Sequence, residues 1–347
     1  MNQVTFGTTS KGEEGMLYTI SNGKGMELSA TNYGATVVKL IVPDKNGNSV
    51  DVALGYDQVE DYEREGCYFG ATVARNANRI ANAKVTIDGV TYNLEANDNE
   101  NNLHSGANGA SDKLWALEKQ TENCLVFTYV SADMEQGFPG NCNMKVTYTL
   151  TEDNALEISY DMVSDKKTVM NPTNHTYFNM NGHAAGTVYG HKLWLKASHF
   201  TPVASGHAIP TGELAPVAGT PFDFTSEKAI GQDIEKQDTQ LGYGCGYDHN
   251  FAIDKDVDGL EKVASVVGDE TGIRMDVLTD LPGIQFYSAN FIDGQKGKGG
   301  CLHVKRGALC LETQYFPNAV NEPNFATPIF DAGVHFESKT VYAFSAE

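Results

Sequence analysis

The sequence has little positive charge and no long hydrophobic run. Lysine and arginine together number 25, against 45 aspartates and glutamates, which gives a formal net charge of −20. A negative field of this size repels the phosphate backbones of nucleic acids and anionic lipid surfaces. No apolar stretch approaches the roughly 20 residues that a membrane-spanning helix needs. The sequence therefore predicts neither a nucleic-acid partner nor a membrane partner.

Motifs for nucleotides, metals and nucleophilic serine are also missing. The chain contains no G-x-G-x-x-G, no G-x-x-x-x-G-K-[S/T], no G-x-S-x-G, no H-E-x-x-H and no EF-hand loop. One histidine series recurs every eight residues: His183, His191, His199 and His207. In an extended chain, successive members would lie about 26 Å apart, too far for one coordination sphere. We therefore expect no cofactor and no metal ion.

The cysteines form no recognisable framework. The chain has six, at positions Cys67, Cys124, Cys142, Cys245, Cys301 and Cys310. None belongs to a C-x-x-C pair or to a cysteine–histidine ligand pattern, so free thiols in a reducing compartment are predicted. The first residues show no basic segment followed by an apolar one, which is the pattern of a secretory signal. A cytoplasmic location is the resulting expectation.

What the sequence does have is an alternation of apolar and polar residues with a period of two. Residues 85–87 and 90–94 alternate on either side of Asp88 and Gly89. Asp-Gly between alternating segments strongly predicts a β-hairpin, because both residues tolerate a positive φ. Two further pairs of alternating segments are 144–150 with 156–162, and 37–41 with 50–54.

Regularly spaced strands with glycine, asparagine and aspartate turns are typical of a β-sandwich or barrel. Helical patterns are few, and the best covers residues 57–65. Strand–helix–strand alternation, internal repeats and linker-like segments are all absent, so a doubly wound nucleotide fold is not expected. The sequence predicts an all-β protein with few short helices, organised as a single domain over residues 1–347.

Polar side chains concentrate in a few short segments. Residues 171–179 place His175 between amides and aromatics, and residues 310–317 place Glu312 in an apolar run. Such a histidine is often only a hydrogen-bonded side chain, and Glu312 could face solvent. Against this, glutamate is depleted in strands and a buried carboxylate requires partners. Asp248 lies in a third polar segment, for which a turn is the simpler interpretation.

Two earlier segments add Asn78 with Arg79, and His104 beside small residues. Aromatic rings suit the apolar faces of a sugar, and amides and carboxylates suit its hydroxyls. The inventory therefore favours a neutral polyhydroxylated ligand. One histidine with one glutamate suits proton transfer better than glycoside hydrolysis, which usually employs two carboxylates.

Seven of these segments together resemble the aldose 1-epimerase family, in its order and at its spacing. They are G-A-T-V-A-R-N-A-N-R-I (70–80), N-N-L-H-S-G (101–106), G-F-P-G-N (137–141), N-P-T-N-H-T-Y-F-N (171–179), G-Y-D-H-N (246–250), L-P-G-I-Q-F-Y (281–287) and L-E-T-Q-Y-F-P (311–317). The departures are small: Ser105 replaces a more usual glycine, and Met180 a more usual leucine.

The resemblance implies a large antiparallel β-sandwich and a role for each matching residue. Glu312 would remove the proton from the anomeric O1, and His175 would protonate the ring oxygen. The C1–O5 bond would then open, and rotation about C1–C2 followed by reclosure would give the other anomer. The residues implied to hold the sugar are Asn78, Arg79, His104, Tyr177, Asp248 and Gln285. Ordinary pKa values, about 4.3 for a glutamate and about 6.5 for a histidine, are compatible with these roles near neutral pH.

The implied activity is interconversion of the α and β anomers of free aldohexoses such as galactose or glucose. A non-catalytic sugar-binding protein and a hexose 6-phosphate 1-epimerase are the alternatives, and a glycoside hydrolase is a remote one. The phosphorylated substrate is disfavoured because the chain is so acidic. The expected partner is a monosaccharide alone, bound by a monomer or a homodimer.

Overall fold

The computed structural model describes residues 2–346, and within this range the chain is built almost entirely from strands. The first strands are β1 (Asn2–Thr8), β2 (Glu14–Ser21), β3 (Glu27–Thr31), β4 (Thr36–Pro43), β5 (Ser49–Asp51), β6 (Thr72–Val73), β7 (Arg79–Ile80), β8 (Lys84–Ile87), β9 (Val90–Asn93), β10 (Asn102–Leu103), β11 (Ala116–Gln120), β12 (Cys124–Ser131), β13 (Cys142–Leu150) and β14 (Ala155–Ser164). They are followed by β15 (Thr168–Val169), β16 (Thr173–Asn174), β17 (Lys192–Leu195), β18 (His199–Phe200), β19 (Ala215–Pro216), β20 (Lys228–Ala229), β21 (Asp248–Ala252), β22 (Glu261–Val267), β23 (Ile273–Thr279), β24 (Gly283–Tyr287), β25 (Cys310–Gln314), β26 (Ile329–Phe330) and β27 (His335–Ala346). The α-helices of residues 2–346 are α1 (Val59–Glu65) and α2 (Thr239–Gly244).

Three sheets carry most of the strands. The largest has nine, in the order β11-β12-β13-β14-β27-β23-β22-β17-β20. A five-stranded sheet has the order β19-β18-β21-β24-β25, and a second one follows the chain from β1 to β5. Neighbouring strands in these sheets run antiparallel, for example β13 with β14 and β24 with β25. The all-β prediction is confirmed.

The core lies between the inner faces of these sheets. Along β13 and β14 nearly every second residue is buried, as the sequence alternation predicts. One hydrophobic cluster joins Val146 of the nine-stranded sheet, Leu40 of β4 and Phe286 of β24. Burial of each such side chain contributes about 1.5–3 kcal/mol to folding. Packing of sheet upon sheet through a shared core is the arrangement of a β-sandwich.

The local predictions are confirmed with two adjustments. Asp88 and Gly89 have φ values of 49° and 82° between β8 and β9, as a two-residue hairpin turn requires. The helix predicted over residues 57–65 begins at Val59. The strand predicted over residues 50–54 ends at Asp51, because the chain then leaves its sheet, and the N–H of Leu54 donates to the carbonyl oxygen of Tyr177.

A buried arginine joins two of the seven sequence segments. Arg75 is almost fully buried, and its guanidinium donates to the hydroxyl of Ser131 at 2.9 Å and to the carbonyl oxygens of Pro139 at 2.8 Å and Gly140 at 2.7 Å. Burial lowers the pKa of Arg75. These bonds fix the turn at residues 137–141 against the segment 70–80, which carries residues of the candidate site.

The thiol and membrane predictions can be compared with the described residues. All six cysteines are free thiols, as the sequence predicts. No helix within residues 2–346 has the length and apolar character needed to cross a bilayer. The single-domain organisation over residues 1–347 stays a prediction, and residues 1 and 347 lie outside the described chain.

Candidate active site

Three neighbouring strands place a row of polar side chains across one five-stranded sheet. In the register, Asn250 of β21 lies opposite Gln285 of β24, and Gln285 lies opposite Glu312 of β25. Directly opposite residues of antiparallel strands have Cβ atoms about 5 Å apart and point to the same face. Asp248 lies two residues before Asn250 on β21, diagonally across from Gln285. Gln285 Nε2 donates to Asp248 Oδ1 at 2.7 Å.

The segment with His175 packs across the end of this row. The N–H of His175 donates to the carbonyl oxygen of Ala71, and its own carbonyl oxygen accepts from the N–H of Gly70. Phe178 exchanges two backbone hydrogen bonds with Leu309, just before β25. With the segment held by these backbone hydrogen bonds, His175 Nε2 lies 3.7 Å from Glu312 Oε2.

A third group of side chains comes from β7, β10 and their flanks. The backbone N–H of Asn78 donates to His104 Nδ1 at 3.1 Å, and the N–H of His104 donates back to the carbonyl oxygen of Asn78 at 2.9 Å. Arg79 Nε donates to Asp98 Oδ2 at 2.7 Å. The guanidinium is thereby held at one side of the site.

These groups enclose a cavity of about 250 Å³. Its lining includes seven of the eight residues named from the sequence: Asn78, Arg79, His104, His175, Tyr177, Asp248 and Glu312. Gln285 does not line the cavity and lies behind Asp248, whose carboxylate it positions. The lining residues that the sequence analysis missed are Gly66, Cys67, Tyr68, Leu103, Tyr287, Phe291 and Ile292.

A signal for some of the missed residues exists in the sequence. Tyr287 closes the segment 281–287, and Phe291 follows it within a few positions. Tyr68 lies on the irregular loop after α1, where no local pattern indicates a function. A neighbouring cavity of about 370 Å³ shares Gly66, Cys67 and Tyr68 with the candidate site. Neither Glu312 nor a histidine lines it, so these side chains belong to the smaller cavity.

Aromatic rings fix the orientation of His175. The ring of Tyr177 lies nearly parallel to the imidazole, with centroids 5.0 Å apart, and that of Tyr68 lies nearly parallel at 5.9 Å. His104 meets the same imidazole edge-on at 5.2 Å. Phe291 differs from these buried rings, because 64% of its surface is exposed at the cavity.

Burial shifts the two central groups in opposite directions. Glu312 is only 2% exposed, and the pKa of its carboxyl is raised well above the usual range by burial and then by the charge of Asp248, while Arg79 opposes the shift. His175 is 5% exposed, and burial lowers its pKa to about 4. The structure therefore departs from the ordinary values expected from the sequence, because water is excluded from both groups.

The other polar groups follow the same rule. The pKa of Asp248 is raised by burial, although Arg79 and Gln285 oppose the shift. The pKa of His104 is held well below its usual value by burial and by His175 and Arg79. Glu312 Oε2 has no hydrogen-bond partner in the described chain, since 3.7 Å to His175 is too long for one. This oxygen is a buried acceptor that the described residues leave unpaired.

Ligand atoms of His104, His175 and Glu312 all lie within 4.8 Å of one another, as in a metal site. The hydrogen bond from Asn78 argues against ligation by His104. Because His104 Nδ1 accepts that N–H, the proton of the neutral ring lies on Nε2, which then donates and cannot bind a cation. The trio is better suited to hydroxyl groups.

The histidine series with eight-residue spacing does not form a site either. Its members have separate partners: His183 contacts Cys301, His191 contacts Asp269, His199 contacts Ser198 and His207 contacts Glu100.

The chain is similar to known proteins over most of its length. Residues 16–343 match the family model described as Aldose 1-epimerase. The chain is 37% identical to a galactose mutarotase of Sus scrofa, covering 92% of this chain and 91% of the relative. It is 36% identical to an aldose 1-epimerase of Escherichia coli strain K12, covering 97% of both.

Solved structures show the same fold. A GalM/aldose epimerase homologue from C. elegans superimposes with a TM-score of 0.88 at 30% identity, covering 95% of this chain and 98% of the other. A galactose 1-epimerase from Lactobacillus acidophilus superimposes with a TM-score of 0.86 at 25% identity, covering 99% and 98%. The fold, the long family match and the curated relatives agree, and the chain belongs to the aldose 1-epimerase family.

Proposed function

We propose that Glu312 and His175 perform the aldose 1-epimerase reaction of this isomerase on a free aldohexose such as galactose or glucose. The observation that carries the proposal is the pair itself. A carboxylate oxygen without a partner and an imidazole nitrogen lie 3.7 Å apart in a cavity of about 250 Å³. One pyranose carries its anomeric hydroxyl and its ring oxygen on the same carbon, so a single sugar can present both oxygens to this pair.

Each chemical step transfers a proton at one end of the pair. Glu312 Oε2 removes the proton from O1 while His175 Nε2 gives a proton to O5, and the C1–O5 bond breaks to leave the open-chain aldehyde. After rotation about C1–C2, His175 removes the proton from the O5 hydroxyl, which attacks the other face of C1. Glu312 then returns its proton to O1. General acid and base groups each contribute about 10²–10⁴-fold to such reactions.

The proton count of the pair stays constant through the cycle. The step begins with an ionised Glu312 and a protonated His175, and it ends with a protonated Glu312 and a neutral His175. Burial favours the second state in the empty site, because it raises the pKa of Glu312 and lowers that of His175. Arg79 lowers the pKa of Glu312, and so supports the ionised form that starts the reaction.

The proposed sugar-binding residues supply donors and acceptors around this pair. His104 Nε2 and the guanidinium of Arg79 would donate, and the Asp248 carboxylate would accept. Asn78 offers an amide, and Tyr177 a ring that packs along His175. Gln285 acts by holding Asp248 in place.

The direct test is polarimetry of freshly dissolved α-glucose and α-galactose. Glu312→Gln removes the base without changing the shape of the side chain, so we expect kcat to fall at least ~10²-fold. Glu337→Gln, at an exposed position of β27, is the matched control and should retain full activity. Full activity in Glu312→Gln would refute the role of this residue. A wild-type protein that accelerates no common aldose would refute the substrate assignment.

The alternatives named from the sequence are not favoured. A cavity for a hexose 6-phosphate needs cations, and the cationic residue in this lining is Arg79, already paired with Asp98. A purely sugar-binding protein would have no use for the acid–base pair. A cytoplasmic location, and a monomer or homodimer, remain part of the proposal.

A further inference from the structure

A carboxylate outside the candidate cavity is paired with the cation that lines it. Among the described lining residues, Arg79 is the one lysine or arginine. Its Nε donates to Asp98 Oδ2 at 2.7 Å, with 14% of the arginine side chain and 23% of the aspartate side chain exposed. Salt screens a partly shielded pair less than it screens surface charges. Asp98 itself does not line the cavity and was not identified from the sequence as part of the site.

The loop that carries Asp98 is fixed to the strand that carries Arg79. Asn97 Oδ1 accepts from the N–H of Leu103 at 2.8 Å, and Asn97 Nδ2 donates to the carbonyl oxygen of Leu103 at 2.9 Å. Leu103 of β10 lies opposite Arg79 of β7 in the register. Asp98 and Asn101 exchange two backbone hydrogen bonds that close the loop. The backbone therefore sets the position of the carboxylate beside the guanidinium.

The charge of Asp98 reaches other side chains of the cavity. Burial raises the pKa of Tyr68, which lines the cavity, to about 12. The charges of Asp112, Glu95 and Asp98 add to this rise of the pKa. Burial also raises the pKa of Asp248, and Asp98 adds to that rise as well. These carboxylates make the potential at the cavity wall more negative, which disfavours a second negative charge there.

We propose that Asp98 acts through Arg79 as a positioning residue that restricts the site to neutral aldoses, because its carboxylate cancels the charge of the guanidinium. This inference rests on the proposed function and names the substrate class within it. Asp98 takes only Nε, and within residues 2–346 the guanidinium makes no other hydrogen bond. Both terminal nitrogens can therefore donate to sugar hydroxyls.

Arg79 thus serves as a hydrogen-bond donor and not as an anion site. The acid–base pair with its one proton carries no net charge, so it offers no compensation to an anionic ligand. An aldose that bears a carboxylate or a phosphate would bring its charge to a cavity whose one cation is already neutralised. Like charges brought together in this way reduce affinity and select against the wrong ligand.

The experiment compares two sugars of nearly the same size. D-Galactose has a hydroxymethyl group at C5, and D-galacturonate has a carboxylate there. Polarimetry gives kcat/KM for each sugar with the wild-type protein, Asp98→Asn and Asp98→Ser. Asparagine keeps the shape of the side chain and an acceptor oxygen for Arg79 Nε, and it removes the charge. Serine is a second neutral replacement.

Asp88→Asn is the matched control. It changes the net charge of the protein by the same amount, but Asp88 is 69% exposed and pairs with Lys167. Asparagine tolerates the positive φ of Asp88 in the β8–β9 turn. Its effect on both sugars reports the contribution of overall charge alone.

We expect the wild-type protein to prefer galactose over galacturonate at least ~10-fold in kcat/KM, and both Asp98 variants to narrow this preference about threefold or more. Asp88→Asn should leave the preference unchanged, because solvent and salt screen an exposed charge. A merely structural defect would lower both values of kcat/KM and leave their ratio intact. An unchanged ratio in the Asp98 variants, or an equal narrowing in Asp88→Asn, would overturn the proposal.

Binding without turnover separates this inference from the proposed function. Isothermal titration calorimetry of the same proteins gives Kd for galactose and for galacturonate. A wild-type protein that interconverts neither sugar, yet prefers galactose in binding and loses that preference in the Asp98 variants, would refute the proposed function and support this inference. Equal affinities of the wild-type protein for the two sugars would overturn the inference without any mutation, even with normal turnover of galactose.

Discussion

Glu312 and His175 form one titrating unit at the scale of single residues. Burial disfavours the charged form of each side chain, so it raises the pKa of Glu312, lowers that of His175 and inverts their usual order. Groups this close lose protons in steps that belong to the pair. The catalytically competent pair holds one proton, and the two arrangements of that proton have the same net charge. Their ratio is therefore independent of pH.

This coupling predicts a broad pH optimum. The pair gains a second proton only as pH falls toward the His175 pKa of about 4, and it loses its last proton only above the raised pKa of Glu312. We expect kcat/KM for α-glucose to stay level through neutral pH, to fall at acidic pH near 4, and to fall again on the alkaline side. Initial rates from pH 3.5 to 9, corrected for buffer catalysis, check this. A decline starting at about 6.5, the ordinary histidine value, would contradict it.

Site residues that lie in distinctive sequence segments could be predicted. Site residues whose position depends on packing against segments far away in the sequence could not. His175 and Glu312 lie in polar segments that make unusual strand interiors, so the sequence names them. Their shifted pKa values depend on how tightly unrelated segments close over them. Gln285 matches its segment, yet its contact with Asp248 instead of the cavity follows from the register of β21 with β24. Tyr68 depends on a loop without a pattern.

At the scale of elements, Gly70 is the point where the segment carrying His175 is hydrogen-bonded to β4. Its N–H donates to the carbonyl oxygen of His175, and its own carbonyl oxygen accepts from the N–H of Val37 and from Asn174 Nδ2. Its φ is 68°, and a Cβ at this position would lie 1.9 Å from the Val37 carbonyl oxygen. Only glycine allows this approach of the two chains.

Replacing Gly70 should therefore cost far more than replacing another glycine with a similar backbone. Gly89 in the β8–β9 turn has a φ of 82° but has open space around it. Alanine at Gly89 should cost about 1–2 kcal/mol, the strain of a left-handed residue. Gly70→Ala adds the clash with backbone, and we expect more than about 3 kcal/mol together with a loss of kcat. Urea denaturation gives the loss of stability in each variant, and polarimetry gives kcat. Equal losses of stability in Gly70→Ala and Gly89→Ala would show that the Val37 contact is easily relieved.

The strands themselves were largely predictable, and their order in the sheets was not. Alternation identifies β13 and β14, and Asp88-Gly89 identifies the β8–β9 hairpin, because these signals are local. Val52 and Leu54 alternate like a strand, and the N–H of Val52 still donates to Leu40 of β4, but the N–H of Leu54 donates to the carbonyl oxygen of Tyr177. Nothing local indicates that β27 lies between β14 and β23. The pairing of strands so far apart in sequence depends on how all their side chains pack together in the core.

At the scale of the whole molecule, buried imidazoles couple folding to pH. In the described chain, burial lowers the pKa of six histidines: His104, His175, His183, His191, His249 and His303. Below about pH 6.5 the unfolded chain binds protons at these positions and the folded chain does not. Stability must then rise with pH in this range, and be lost as the pH falls from about 6.5 toward 4.

We predict that the free energy of unfolding falls steadily between pH 7 and pH 5. Each buried imidazole that stays neutral adds up to about 1.4 kcal/mol per pH unit to the slope. Burial lowers the pKa of His249 to about 3. Replacing His249 with asparagine should therefore reduce this slope by up to the contribution of one proton, about 1.4 kcal/mol per pH unit. His335→Asn, at an exposed position, is the control for the loss of an imidazole at the surface. A flat pH dependence in urea melts would show that other groups compensate.

The position of β27 bears on how the chain can be made. This strand follows all the others of the described chain, yet it bridges β14 and β23 in the middle of the nine-stranded sheet. Until the ribosome has delivered residues 335–346, β14 and β23 each present a bare edge, and such edges pair readily with other chains. Newly synthesised copies are therefore at risk of aggregation until residues 335–346 have emerged, and holding chaperones would help most during that interval.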